Sequence, residues 1–523
     1  MSCIEVQNLP QPERVLTYHG CFNCKRGGKT VNVRCSTTLK GEILTDTKTE
    51  FHWDNIDWKT VYESVNRLQT RIAKAVKQQK WHLVKRLQYL LTHSHYAKML
   101  AVRRVCQNKG KRTAGVDGEK WLTLEAKTNA VLRLSDKKYK AKPLRRVYIK
   151  KYGKKEKRPL SIPTMYDRAM QALYSLALSP VAETTADTTS FGFRIYRSTQ
   201  DACEQVFRCM SKEISAQWVL EGDIKGCFDN INHNWLLANI SMDKSILKQF
   251  LKAGFVYNRH LFPTERGTPQ GGVISPILAN STLDGITAII DDKYHQRNNN
   301  RNPKKVNFVR YADDFIVTAD SEETANEVDE MIRRFLKERG LELSEKKTTI
   351  THIDDGFDFL GWNFRKYKGK LLIKPSKKSI DKVTHNISDI IKGAKAWTQD
   401  DLIKTLNPVI TGWSNYHQSV VSTDIFHKID HMVWSMLWRW AKRRHPENKA
   451  KKWIIKRHWH KEGTRKWVFS AEGKNLKCFS DTKIVRHTCL KLSMNPYQDK
   501  GYFEARRIRL RIRKRSSQDA IGV

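Results

Sequence analysis

Long apolar runs are absent from this chain of 523 residues: none approaches the roughly 20 consecutive residues that cross a bilayer. A basic start followed by an apolar stretch is also absent, which excludes a secretory signal, and Glu5 and Glu13 sit poorly with an acid-poor transit peptide. The expectation is a soluble protein without a membrane partner, in a bacterial cytoplasm or in the matrix or stroma of an organelle that encodes it. Close cysteine pairs are scarce. The ten cysteines are scattered, which excludes a disulfide scaffold and fits thiols in a reducing compartment. Cys21 and Cys24 have a metal-knuckle spacing that Cys3 and Cys35 could complete, but the second close pair of a closed zinc site is missing. Acidic side chains are outnumbered, 54 Asp and Glu against 96 Lys and Arg, and a net charge of +42 is tolerated best when a polyanion screens it.

What is present is aromatic mass: 15 Trp, 19 Phe and 17 Tyr can build real cores, which separates this chain from a merely basic nucleic-acid coat. Its length exceeds what one core supports, so several modules are expected. Residues 1–50 show no sustained periodicity and read as a loose extension. Residues 51–142 read as helical: Val61, Val65, Leu68, Ile72 and Val76 recur at three and four, as do Leu83, Leu87, Leu90 and Leu91. From 143 to 370, short β-branched and aromatic runs alternate with helical stretches, the texture of an α+β domain. Residues 371–465 are helical again, with Ile380, Val383, Ile387, Ile390 and Ala394 on one face.

Between Arg439 and Lys466, twelve Lys or Arg face only Glu447 and Glu462. Trp453, Trp459 and Trp467 are interleaved with them, so Lys451, Lys452, Lys456 and Arg457 are candidate RNA contacts beside rings that stack bases. The alternative is a core in which all these tryptophans are buried. Residues 466–523 form a basic C-terminal segment ending in the run Arg506–Arg515, read as a further polyanion contact.

The chemistry concentrates in three strings. Tyr311-Ala312-Asp313-Asp314 lies between two β-type runs within Val306–Thr318, which predicts a hairpin with two carboxylates at its tip. Adjacent carboxylates repel at neutral pH and call for a hard cation such as Mg²⁺. Upstream, a short strand ends at Asp223 in Glu221-Gly222-Asp223. Carboxylates on separate strands that bridge two cations are what in-line phosphoryl transfer by two metal ions requires. The third string, Gly267-Thr268-Pro269-Gln270-Gly271-Gly272, has glycines that let backbone approach a ligand just before a helix.

Taken in order with TAGVDG at 113–118, RPLSIPT at 158–164, SFGFR at 190–194, LELSEKKT at 341–348 and FLGW at 359–362, these strings resemble the reverse transcriptases of group II introns. The resemblance covers about residues 55 to 470 and implies a right-hand polymerase, with fingers and palm followed by an α-helical thumb and maturase domain. It implies an RNA-directed DNA polymerase that also binds its intron RNA to assist splicing, with target DNA and deoxynucleoside triphosphates as further partners. Asp223, Asp313 and Asp314 would hold two Mg²⁺. Lys151 and Arg158 would grip the triphosphate, although the local Ile149-Lys150-Lys151 leaves the choice between Lys150 and Lys151 open. Gln270 would line the same pocket, Phe228 would stack under the sugar unless it is plain core, and Lys347 would stand near the leaving pyrophosphate. FLGW would steady the primer end. The chain departs from many relatives in having no Cys- and His-rich endonuclease segment, so an existing DNA 3′ end is the expected primer. A splicing maturase with an idle polymerase site is the alternative, and the oligomeric state is left open.

Overall fold

The computed structural model describes residues 25–26, 29–30, 52–150, 157–295, 302–447, 450–463 and 465–519, with side chains from 52 to 513. Cys3, Cys21, Cys24, Cys35 and Lys151 lie outside the described side chains. The chain forms two units, Met1–His52 and Trp53–Val523. In the first, Lys25–Arg26 pairs antiparallel with Lys29–Thr30.

The second unit opens with three helices, α1 (Trp58–Lys77), α2 (Trp81–His93) and α3 (His95–Gln107), packed on the long helix α4 (Met165–Thr185). Asp57 caps α1 by accepting from the Lys59 amide, and Thr164 caps α4 by accepting from Asp167. In α2 the buried face is Val84, Leu87 and Leu91; Leu90, expected inward, is 46% exposed. The expected register is therefore off by part of a turn, because a run of adjacent leucines does not say which row meets the neighbour.

Strands β1 (Leu144–Lys150) and β2 (Lys157–Ile162) form a hairpin that joins β4 (Phe255–Tyr257) and β5 (His260–Phe262) in the order β2-β1-β4-β5. The central sheet has the order β8-β3-β7-β6, all neighbours antiparallel, from β3 (Trp218–Asp223), β6 (Asn307–Tyr311), β7 (Asp314–Ala319) and β8 (Thr349–His352). Helices α5 (Thr199–Met210) and α7 (Glu322–Lys337) pack on it, and α6 (Ser275–Leu283) packs on α4. A third sheet, β9 (Phe357–Phe359), β10 (Trp362–Tyr367) and β11 (Lys370–Pro375), leads into the C-terminal bundle. Its last strand runs across residue 370, where the sequence reading drew a border.

The bundle contains α8 (Lys377–Gly393), α9 (Gln399–His417), α10 (Thr423–Arg444) and α11 (Lys451–His458), with a core of Ile387, Leu402, Leu406, Phe426, Val433 and Leu437. A small sheet of β12 (Trp459–Glu462), β13 (Arg465–Ala471) and β14 (Lys474–Asn475) closes its end. That sheet was not foreseen; its first strand and the start of its second are hidden inside the basic run.

The chain then travels back over the molecule. The Val485 amide donates to Gln418 O at the end of α9 (2.9 Å), His487 Nε2 meets Asp201 Oδ1 on α5 (2.8 Å), Asn495 Nδ2 donates to Thr184 Oγ1 on α4 (3.1 Å), and Thr70 Oγ1 of α1 donates to Tyr497 O (3.0 Å). Helix α12 (Lys500–Asp519) seats Phe503 against Tyr196. Arg506, expected to contact a polyanion, is instead buried and bonded to Asp201 and to Thr488 O. A buried carboxylate on α5 claims this one arginine, while Arg507, Arg509 and Arg511 stay exposed.

Candidate active site

Strand pairing brings the acidic residues together. Asp223, the last residue of β3, lies opposite Asp314, the first of β7, and Tyr311 is paired with the same Asp314 across the hairpin. Ala312 and Asp313 are thus a two-residue turn, with Ala312 in the left-handed region at φ 59°. Gly222 is required beside Asp223: a Cβ there would come within 2.1 Å of the Phe315 ring, which caps the sheet from the neighbouring strand. Burial, then the charges of Asp313 and Asp223, pushes Asp314 up to about 7. Burial and the charge of Asp223 also push Asp313 up, against the pull of Lys347 and Arg158.

A cation already answers this charge. Lys347 Nζ sits 2.7 Å from Asp223 Oδ2, on a segment tied down by the Ser344 amide donating to Asp223 O (2.8 Å). Among the described residues, no three acidic, His or Cys side chains converge as a ready-made metal cage. The hard carboxylate oxygens of Asp223, Asp313 and Asp314 fit a divalent cation, which would displace Lys347 from Asp223.

Behind the turn is a buried ionic layer that the sequence reading missed. Arg310, with 0% exposure, donates to Asp284 Oδ1 (2.6 Å), to Asn280 Oδ1 (3.1 Å) and to the turn carbonyl of Ala312 (3.3 Å). Burial pushes the Asp284 carboxyl up to about 7 against the opposing charge of Arg310, and Asp187 adds to the rise. Asn280 also donates to Gly192 O (2.8 Å), and a Cβ on Gly192 would lie 2.3 Å from the Ala312 amide. The SFGFR segment is therefore wedged directly under the acidic turn.

The Gly-rich loop is clamped from two sides. The Ser161 amide of β2 donates to Gln270 O (2.7 Å), and the Thr268 amide donates to Phe228 O (2.6 Å). Gly267 (φ +81°) and Gly271 (φ +109°) make these approaches possible, since a side chain would strike Asp229 O in one case and Ser161 O in the other. Gln270 Nε2 donates to Asp229 Oδ2 (2.9 Å), a partner to which the sequence reading gave no role. Phe228 is half-buried and meets Phe193 edge-on at 6.2 Å, so it is neither fully core nor free. Arg158, on β2 opposite Ile149, is exposed and close enough to Asp313 to lower its pKa. Lys150 is exposed opposite Lys157.

A groove of about 1310 Å³ runs from Asp223, Asp314 and Lys347 along Phe359–Gly361 to Lys378, Lys382 and Trp413 of the bundle. Its floor is fixed by Tyr416, whose hydroxyl donates to Leu360 O (2.8 Å) while its ring stacks on Trp362 at 4.7 Å. Farther off, Lys451, Lys452, Lys456 and Arg457 all occupy the exposed face of α11, which is anchored by Ile454. Trp453 and Trp467 are exposed at 40% and 55%, but Trp459 is buried at 4% beneath α10, so only two of the three interleaved rings reach solvent.

The fold is that of the reverse transcriptase class, with Asp223, Asp313 and Asp314 at the end of its central sheet. Residues 149–364 match the reverse transcriptase (RNA-dependent DNA polymerase) family, 53–134 the N-terminal domain of reverse transcriptase, and 380–459 the group II intron, maturase-specific domain. The chain is 31% identical over 318 residues to protein YkfC of Escherichia coli (strain K12), covering 53% of this chain and 82% of that one. It is 31% identical over 340 residues to the group II intron-encoded protein LtrA of Lactococcus lactis subsp. cremoris, covering 53% and 56%. Maturase-like protein 1 of Euglena gracilis is 25% identical over 378 residues, covering 70% and 77%. The chain belongs to the group II intron-encoded reverse transcriptase family; it spans little more than half the length of LtrA. No helix of the described residues is long and apolar enough to cross a membrane.

Proposed function

We propose that this protein is an RNA-directed DNA polymerase that copies intron RNA into DNA, and a maturase that binds the same RNA to assist splicing. The observation that carries the first activity is the register of β3 against β7, with Asp223 facing Asp314 beside the Asp313 turn. A primer 3′ end lying in the groove meets these three carboxylates, with its terminal hydroxyl toward the α-phosphate of a deoxynucleoside triphosphate. Asp223, Asp313 and Asp314 would hold two Mg²⁺, which would supply activation of that hydroxyl and charge stabilisation of the departing pyrophosphate. Arg158, and Lys151 beyond the described residues, bind the triphosphate. Phe228 supports the sugar, and Gln270, fixed by Asp229, lines the pocket. Lys347, paired with Asp223 here, would be freed by an ion bound at that carboxylate and would then give its proton to the pyrophosphate.

Lys451, Lys452, Lys456 and Arg457 serve the second activity by neutralising intron RNA phosphates, and target DNA is the acceptor of the copied sequence. Residues 143–370 act as fingers and palm, 371–465 as thumb and maturase domain, and 466–523 as a basic nucleic-acid-binding segment. The site of action is a bacterial cytoplasm or the matrix or stroma of an organelle.

Replacing Asp313 and Asp314 by Ala together tests the division of labour. Extension of a DNA primer on an RNA template should vanish while intron RNA affinity and splicing assistance persist. Equal loss of splicing would show that the two activities share these carboxylates, and an unaltered protein that splices but never extends a primer would leave an idle polymerase site.

A further inference from the structure

The tryptophans of the C-terminal bundle fall into two populations. Trp440 and Trp459 are buried, at 2% and 4% exposure. Trp434 and Trp438, one turn apart on α10, lie half-buried on its outer flank with rings parallel to within 2° and centroids 5.9 Å apart. Trp467 of β13, 55% exposed, stacks on Trp434 at 6.4 Å and 23°. Trp459 lies beneath both helical rings, 6.0 Å from each, and fixes their planes. The same row continues along α10 through Lys442 to His445, on which Trp453 rests edge-on at 4.9 Å. With a rise of 1.5 Å per residue, Trp434 to His445 covers about 16 Å.

Exposed cations accompany this row on the same elements: Arg439 and Lys442 on α10, Lys461 on β12 and Lys466 on β13. Trp453 and Trp467, 40% and 55% exposed at the ends of this row, offer ring surface beside ammonium and guanidinium groups, which matches the two parts of an unpaired nucleotide, a base that stacks and a phosphate that carries charge. A duplex keeps its base faces covered, and a polyanion without bases leaves the rings unused. We propose that Trp434, Trp438, Trp467 and Trp453 form a stacking platform for a short unpaired segment of the intron RNA, an inference that rests on the splicing role proposed above. The exposed lysines of α11 then set affinity through charge, and the platform selects looped-out RNA over helical RNA.

The test uses the full chain with four ligands: intron RNA, an unpaired oligouridine, a duplex RNA of equal length, and heparin. Combined Trp453→Ala and Trp467→Ala should weaken oligouridine binding at least about fivefold, the change expected from losing one base–aromatic stack of about 1 kcal/mol. Duplex and heparin affinities, and the salt slope, should not move. Trp467→Phe, alone, should stay near the unaltered affinity because a ring remains. Unchanged oligouridine binding, equal losses on all ligands, or an unaltered chain that binds intron RNA but not oligouridine would each overturn the platform. Failure of the unaltered chain to bind intron RNA would overturn the splicing role itself.

Discussion

Asp284→Asn removes the counter-charge of a guanidinium that has no contact with solvent. Breaking a buried pair from one side costs about 3–5 kcal/mol, because the remaining charge stays desolvated. Here the lower end applies, since Arg310 keeps Asn280 at 3.1 Å and the Ala312 carbonyl at 3.3 Å and still feels Asp187. About 3 kcal/mol corresponds to a fall in Tm of roughly 6–12 °C for a domain the size of the palm. Primer extension should drop as well, because the acidic turn hangs from the same guanidinium. The informative comparison is the double variant Arg310→Met with Asp284→Leu. Removing both charges relieves the desolvation cost, so the Tm should return most of the way. The Ala312 carbonyl still has no donor, so kcat should stay down on the order of 10- to 100-fold, the usual scale for a misplaced reacting group. Calorimetry and steady-state primer extension on the same preparations check both. A double variant that recovers activity together with stability would refute the idea that Arg310 aims the turn.

Other perturbations read different parts of the site. Gly222→Ala forces a methyl into the Phe315 ring at 2.1 Å and should lower both Tm and primer extension, whereas an unaffected enzyme would mean that the sheet yields there freely. Asp314 is raised to about 7, so its stabilising contribution is complete below about pH 4 and is lost as pH rises through 7. Metal binding needs the ionised form, so Mg²⁺ should raise Tm more at pH 8 than at pH 6, and Asp314→Asn should flatten that difference. An equal Mg²⁺ shift at both pH values would contradict it. Changing Lys451, Lys452, Lys456 and Arg457 to Gln should reduce the slope of log K against log salt by up to about 3, at roughly 0.7 per phosphate contact with single strands. An unchanged slope would take α11 out of the RNA interface.

The hairpin bearing Asp313 and Asp314 was legible because β-branched and aromatic residues flank it on both sides, and its pairing with Asp223 followed from the chemistry two metals need. Arg310 was not legible. A charged residue beside YADD reads as one more surface cation, and only the distant Asp284 and Asn280 make its burial possible. The same applies to Arg506, whose partner Asp201 lies some 300 residues earlier in the chain. Trp459 and Trp467 look alike in sequence, since both sit in a basic run at strand positions. The fold separates them by pairing Trp459 with Phe469 against α10 and leaving Trp467 nearer the turn end of the hairpin, where Glu462 pairs with Arg465. Lys347 lies beside Asp223, and this ion pair depends on the Ser344 turn, which no local pattern announces.

The returning strand of chain between Val485 and Phe503 touches the end of α9, then α5, α4 and α1 in succession. If the bundle grips a template in the activity proposed above, that grip is lashed to the rest of the hand by a continuous cord. Rocking of the bundle would then drag on Asp201 and Thr70 alike, so advance along the template would be shared by the whole body rather than confined to a free hinge.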